Sequence, residues 1–378
     1  MSRVLPIIII VSLLLSGCGL SGGIYANYHA VGDLRLVRTL GVDGDDRSVT
    51  LTAVVSAAAA DEPPSVLRGS GGSIPAALDA LQDRAREGLL YFAHAQFIVL
   101  GADYAARGIA SLLDYVERDM HMRLGTALLL LREGSAADLL ESACAAGLDP
   151  NDDLSSLRRA AEKRGDVRVG TFRETAVALS ERGAALVCAI RTAADRGVSV
   201  VPAGYGVLRD GALAGFLPDG EAEAASMLRA PLGGVPVRVP DGAGGTVTLE
   251  VRGGAVSEAQ WRADGTPGPL RVRAKLTAAV AELSGDGTAL SDPAAAERLS
   301  AALCARTCES LRRVLARSQA LDADFLGLGQ ALRLRDATAF AALPDGWLQD
   351  LTFDVSAQAE IFHSHDLKDP VGVQGGGR

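Results

Sequence analysis

The sequence predicts a multi-domain, mixed α/β (α+β) protein in which each domain is a mixed sheet flanked by helices, behind an N-terminal lipoprotein signal. Three observations lead there. Between Ser73 and Ala146, apolar strands alternate with amphipathic helices, the pattern of a layered unit whose sheet is at least partly parallel. From Val198 onward the chain turns β-rich, then closes with one long helix and an alternating strand. The chain has 378 residues, 48% of them hydrophobic, so it has material for two or three domains, each with a real core. The expected division is a signal at 1–17, a leash at 18–33, domains at 34–148, 149–265 and 266–366, and a polar tail at 367–378.

The signal comes first. Arg3 supplies a short basic start, and Val4 to Leu15 is almost wholly aliphatic. That run of about a dozen residues falls well short of the roughly 20 needed to cross a bilayer, so it reads as an export signal. Leu15-Ser16-Gly17-Cys18 ends it, and a small-residue pair leading into cysteine is the pattern of a bacterial lipoprotein. Cys18 is the expected lipidation site and the first residue of the mature chain. Gly19 to Gly23 is the leash. Its Gly-x-Ser-x-Gly letters lack the strand and helix that a nucleophile elbow requires.

Leu34 to Leu40 reads as a strand and Ser48 to Ser56 as its hairpin partner, with Val49, Leu51, Ala53 and Val55 alternating. The connection Gly41-Val42-Asp43-Gly44-Asp45-Asp46 reads as a solvated acidic turn, without the closing glutamate of a calcium loop. Ala57 to Gly72 reads as a loop. A helix follows with Ala77, Leu78 and Leu81 on one face, then a strand at Ala95 to Leu100 and a helix from Ala102 to Asp119. A second strand, Leu124 to Leu131, and a helix from Ser135 to Ala146 complete the unit. Ser135 is the expected cap.

Two helices are expected next, Asn151 to Gly165 (capped by Asn151 or Asp152) and Thr171 to Arg182. Val198 to Leu208 and Ala212 to Leu217 form a hairpin around Arg209-Asp210-Gly211. Glu221 to Arg229 is a short acidic helix, Thr246 to Arg252 and Leu270 to Leu283 are strands, and Asp292-Pro293 opens a helix reaching about Ser318. Its buried stripe is Leu299, Leu303, Leu311, Val314 and Leu315. Leu351 to Phe362 is the last strand.

A net charge of −9 argues against nucleic acid as a partner, since it selects basic surfaces. It equally argues against adhesion to anionic lipid by charge, so the acyl chains are expected to hold the protein at the membrane. Of the cysteines beyond Cys18, Cys304 and Cys308 lie one helical turn apart and read as small buried hydrophobes; Cys144 and Cys188 fit no disulfide scaffold. His94, at the mouth of a buried strand, has no nucleophile pattern beside it and reads as structural. His363-Ser364-His365 would place two imidazoles on one strand face, with Asp366 the one obvious third ligand, at a strand's frayed end. Arg118-Asp119 with His121 and Arg123 reads as a charged helix exit. No phosphate-binding loop or dinucleotide fingerprint appears. No catalytic, cofactor or metal site is expected.

Several segments, in order, resemble the Ger(x)C spore germination lipoproteins. Leu90 to Gly101 is similar to that family's aromatic-x-His entry into an apolar strand, and Ala105-Ala106-Arg107-Gly108-Ile109 to the helix that follows. Gly41-Val42-Asp43 resembles its early Gly-Ile-Asp turn, and Gly134 to Leu140 its Gly-x-Ala-x-x-Leu helix. Gly204 to Gly215 resembles its hairpin, with Tyr205-Gly206 in place of a small pair. Gln319 to Gly329 resembles its Gln-x-x-x-x-Asp-x-Phe-Gly-x-Gly segment, with Asp322 or Asp324 as the acid. Asp345-Gly346-Trp347 matches its tryptophan loosely. Where the family has Trp-Asp after the lipid cysteine, this chain has Gly19-Leu20.

The resemblance implies the C subunit of a nutrient germinant receptor, tethered through Cys18 to the outer face of the spore inner membrane, with two membrane-embedded subunits as partners. An extracytoplasmic solute- or cell-wall-binding lipoprotein is the alternative, and a tethered hydrolase a third reading. Whether the chain binds a small molecule is left open by the sequence.

Overall fold

The computed structural model describes residues 31–362, apart from Asp46, 57–63, 86–87, 119–121, 194–199, 243 and 285–292. Its first half is one nine-stranded mixed sheet. Strands β1 (Leu34–Gly44), β5 (Phe97–Leu100), β6 (Ala127–Leu131) and β7 (Ala184–Thr192) form a parallel centre. On one side β2 (Val49–Val55) and β3 (Ser65–Gly71) continue antiparallel, and on the other β8 (Val200–Arg209) and β9 (Ala212–Leu217) do the same. The short β4 (Leu89–Tyr91) pairs parallel with the start of β1, in line with β5.

Helices α1 (Ile74–Arg84), α2 (Ala102–Arg107), α3 (Ala110–Arg118), α4 (Ala136–Ala145), α5 (Pro150–Arg164) and α6 (Phe172–Arg182) cover this sheet. Side chains alternate between its faces, as strand geometry requires. Ile98 and Leu100 of β5 join a core with Leu40, Leu51, Leu81, Ile109 and Leu128 on one face. Phe97 and Val99 face the other way, with Leu129, Cys188 and Tyr205.

Helix α7 (Asp219–Arg229) leads into the second sheet. It has four strands, in the order β10 (Leu232–Pro240), β11 (Thr246–Glu258), β12 (Leu270–Ser284) and β13 (Phe353–Phe362). The first three are antiparallel, and β13 runs parallel to β12. The 28-residue α8 (Pro293–Ala320) lies on this sheet, followed by α9 (Leu328–Arg335) and α10 (Ala337–Ala341). Leu299, Leu303, Leu311, Val314 and Leu315 of α8 are buried, as their spacing predicts. One hydrophobic core runs without a break from Phe97 and Tyr205 of the first sheet to Leu249, Leu276 and Leu315 of the second. The fold is thus two mixed sheets flanked by helices. The boundary expected near residue 148 falls between α4 and α5, and the one near 265 falls between β11 and β12.

Several local details differ from expectation for identifiable reasons. Gly41 to Gly44 is not a turn but the end of β1, because Asp43 turns inward and caps α4. Residues 65–71 form β3 rather than loop. Gly69 and Gly71 let it lie directly on α1, where a Cβ at either would meet helix backbone. The helix expected from Ala102 breaks at Gly108 (φ 117°), which frees the Ile109 N–H to donate to the Gly211 carbonyl. Asp149, rather than Asn151 or Asp152, caps α5, with Pro150 at its first position.

Candidate functional site at the junction of the two sheets

The resemblance motifs gather at three places in the structure. In the first, Asp43 Oδ1 and Oδ2 accept from Ala136 N and Ala137 N, both at 2.8 Å, at the N-terminus of α4. Gly101 must be glycine here, since a Cβ would run into the Asp43 carboxylate, and Gly41 makes room for Leu140 and Ala136. Ser135 Oγ completes the cap by accepting from Asp138 N at 3.0 Å. Burial raises the Asp43 carboxyl above its usual value, against the pull of the two N–H groups. This cluster is an internal brace.

The hairpin motif carries a second brace. Asp210 (φ 50°) and Gly211 (φ 81°) are both left-handed, the conformation a two-residue type I′ turn demands. Tyr205, fully buried, accepts from Arg168 N at 2.6 Å and donates to Ser226 Oγ at 2.7 Å; Ser226 Oγ in turn donates to the Asp166 carbonyl at 2.9 Å. One side chain thereby ties β8 to the loop after α5 and to α7.

The third cluster lies at the junction. Gln319, in the last turn of α8, donates through Nε2 to the carbonyls of Leu348, Gln349 and Leu351. This holds the 344–351 turn against the helix end. Asp324, not Asp322, is the structural acid of the motif: its Oδ1 and Oδ2 accept from Leu328 N (2.7 Å) and Gly329 N (2.8 Å) at the start of α9. Burial pushes the Asp324 carboxyl up to about 6, a rise that the backbone donors and Arg182 only partly oppose. Asp322 faces outward and pairs with Arg209 of β8 at 2.9 Å, joining the first sheet to the α8–α9 connection. Gly329 lies under the Trp347 and Phe340 rings, which meet edge to face at 5.6 Å.

Together these segments and the end of α6 enclose a cleft of about 410 Å³, lined by Glu181, Arg182, Asp324, Arg333, Phe340 and Trp347 among others. That is the size of a small-molecule site. Sequence reasoning reached Asp324 and Trp347 through the motifs. It missed Arg182 and Arg333, whose shared location follows from tertiary packing of distant segments.

The remaining candidates lie apart. His94 is exposed in a 3-10 turn between β4 and β5, its ring 5.6 Å from Tyr91. Arg118 pairs with Asp114 at 2.7 Å on an exposed helix face, and Arg123 is exposed. Cys304 and Cys308 are only half-buried, so they are less enclosed than expected; Cys188 is fully buried. Burial pushes the Cys188 thiol up to about 12 and the Cys144 thiol to about 11, which suppresses thiolate chemistry at neutral pH. Cys18, Asp119, His121, His363, His365 and Asp366 lie outside the described residues. Among the described residues, no helix is long and apolar enough to cross a membrane, and no cluster of metal-binding side chains occurs.

Fold and cleft together define a two-sheet α/β scaffold with a ligand-sized recess at its junction. The chain belongs to the GerAC-like spore germination proteins. The model of the spore germination protein N-terminal domain matches residues 27–192, and that of the spore germination B3/GerAC-like C-terminal region matches 203–365. Among solved structures, the crystal structure of the GerBC protein has a similar fold, with a TM-score of 0.58 at 15% identity over 85% of this chain and 96% of that one. No curated protein sequence matches the chain.

Proposed function

We propose that this chain is a lipid-anchored, non-catalytic subunit of a spore nutrient germinant receptor. It is required for nutrient-triggered germination at the spore inner membrane, where it assembles with two membrane-embedded subunits. Membership of the germination family across residues 27–192 and 203–365 carries the reading. The Leu-Ser-Gly-Cys end of the leader supports a tether at Cys18. The braces around Asp43 and Tyr205 support a rigid body held at the membrane, whose surfaces complete the complex. No step of bond chemistry is needed.

The test is dipicolinate release from spores lacking the chain, challenged with nutrients and separately with a detergent-type germinant that bypasses receptors. Selective loss of the nutrient response supports the receptor role. An unchanged response to every nutrient would favour the second reading, an extracytoplasmic binding lipoprotein, which the junction cleft supports. Cys18→Ala is expected to leave the chain unlipidated and to impair nutrient germination, measured by lipid labelling and by the same release assay. Full germination with an unlipidated chain would refute the tether.

A further inference from the structure

We propose that the junction cleft binds a small organic monocarboxylate with an apolar or aromatic body, its carboxylate held by Arg182 and Arg333 and its body by Trp347, Phe340 and Leu334. The argument starts from the charges on the wall. Two of the three lining acids are already engaged. Asp324 spends both oxygens on the N-terminus of α9, and Asp322 is paired with Arg209. The two lining cations are not. Among the described residues neither Arg182 nor Arg333 has a carboxylate within ion-pair distance.

Guanidinium forks match carboxylates bidentately, which selects that group over a hydroxyl or an amide. Glu181, the remaining acid, stands exposed at the rim and disfavours a second negative charge on the ligand.

The apolar wall sets the rest of the ligand. Trp347 and Phe340 present an edge-to-face pair, and Leu334, 79% exposed, flanks them at the opening. Large apolar groups left open beside unpaired cations are the usual lining of a pocket for an amphipathic small molecule. Gly329 fixes this geometry, because a Cβ there would stand 3.0 Å from Trp347 Cζ2 and 3.1 Å from Phe340 Cζ.

Benzoate is the probe, and benzylamine, with the same ring and opposite charge, is its control. Both are titrated calorimetrically into the full chain purified in detergent. Saturable one-to-one binding of benzoate at millimolar concentration or below, without binding of benzylamine, is expected. Arg333→Gln removes an exposed side chain that pairs with nothing described; it should leave the melting temperature unchanged and weaken benzoate at least about tenfold. Arg182→Lys keeps the charge but loses the fork, and should weaken binding as well. Absence of saturable benzoate binding, equal binding of benzylamine, or undiminished affinity in both variants would each overturn the proposal. None of these readouts depends on the receptor role, so either reading can fail while the other stands.

Discussion

Tyr205→Phe removes a single oxygen from the centre of the molecule, and its cost can be worked from three hydrogen bonds. The hydroxyl accepts from Arg168 N at 2.6 Å and donates to Ser226 Oγ at 2.7 Å. In the variant the Arg168 N–H has no acceptor and Ser226 loses its donor, while the bond from Ser226 to the Asp166 carbonyl survives. An ordinary hydrogen bond contributes about 1 kcal/mol net, and a buried donor left unsatisfied costs about 1–3 kcal/mol. The expected loss is therefore about 2–3 kcal/mol. Ser226→Ala should cost about 1–2 kcal/mol by the same reasoning, since it strands the Asp166 carbonyl. Because both substitutions break the same link, the double variant should cost about 1 kcal/mol less than their sum. Urea unfolding of the full chain, read by the shift in midpoint at constant slope, measures all three. A Tyr205→Phe loss below about 0.5 kcal/mol, or strict additivity, would refute the network as an element of stability.

Other outcomes follow from the same structure. In Gly69→Ala the new Cβ would stand 2.5 Å from the Ala77 carbonyl oxygen and closer still to Leu81 N, both backbone, so β3 must lift from α1 at a cost of about 3 kcal/mol in the same urea assay. A near-neutral result would mean that the strand does not lie on the helix. Asp324 titrates at about 6 in the fold against 3.8 in the open chain, so the folded state holds its proton more tightly. Its contribution to stability is complete below about pH 3.8 and is lost as pH rises through 6, by up to about 3 kcal/mol. The stability of the native chain relative to Asp324→Asn should accordingly shrink between pH 4 and pH 7, and parallel profiles would count against it. His94→Ala, at an exposed turn, should shift the melting temperature by less than about 2 °C and leave dipicolinate release intact. A dead but normally stable His94→Ala protein would point to a direct functional role.

Much of the fold was legible because local chemistry and tertiary packing agree. Arg209-Asp210-Gly211 demands left-handed backbone and gets it, and Ser135 caps the helix it precedes. The misses have physical causes. β7 is the last strand of the parallel centre, and Ala184 to Ile190 is buried on both faces, so no alternation marks it. β10 carries Gly233, Gly234, Pro236 and Pro240, residues that read as loop but are tolerated on the edge strand it forms. Asp43 looks solvated by composition and is an internal cap by geometry. The cleft was the least legible part. Arg182 and Arg333 lie on helices far apart in sequence, and only the joint packing of α6, α9 and the 344–351 turn brings both to one cleft. Asp324 and Trp347 surfaced through resemblance to a family pattern rather than through any local signal of their own.

The match of the N-terminal family model stops at Thr192 and that of the C-terminal model begins at Ala203, yet β7 and β8 are hydrogen-bonded neighbours from Ala184–Arg209 to Thr192–Val200. The seam between the two inherited modules thus runs down the middle of a sheet. Cutting there would leave β7 as a bare, largely apolar margin open to pairing with any other chain. Exchanging halves between relatives would succeed only where both parents keep the same strand register. The two matched regions are therefore bound to each other by a shared hydrogen-bonded ladder rather than by a linker.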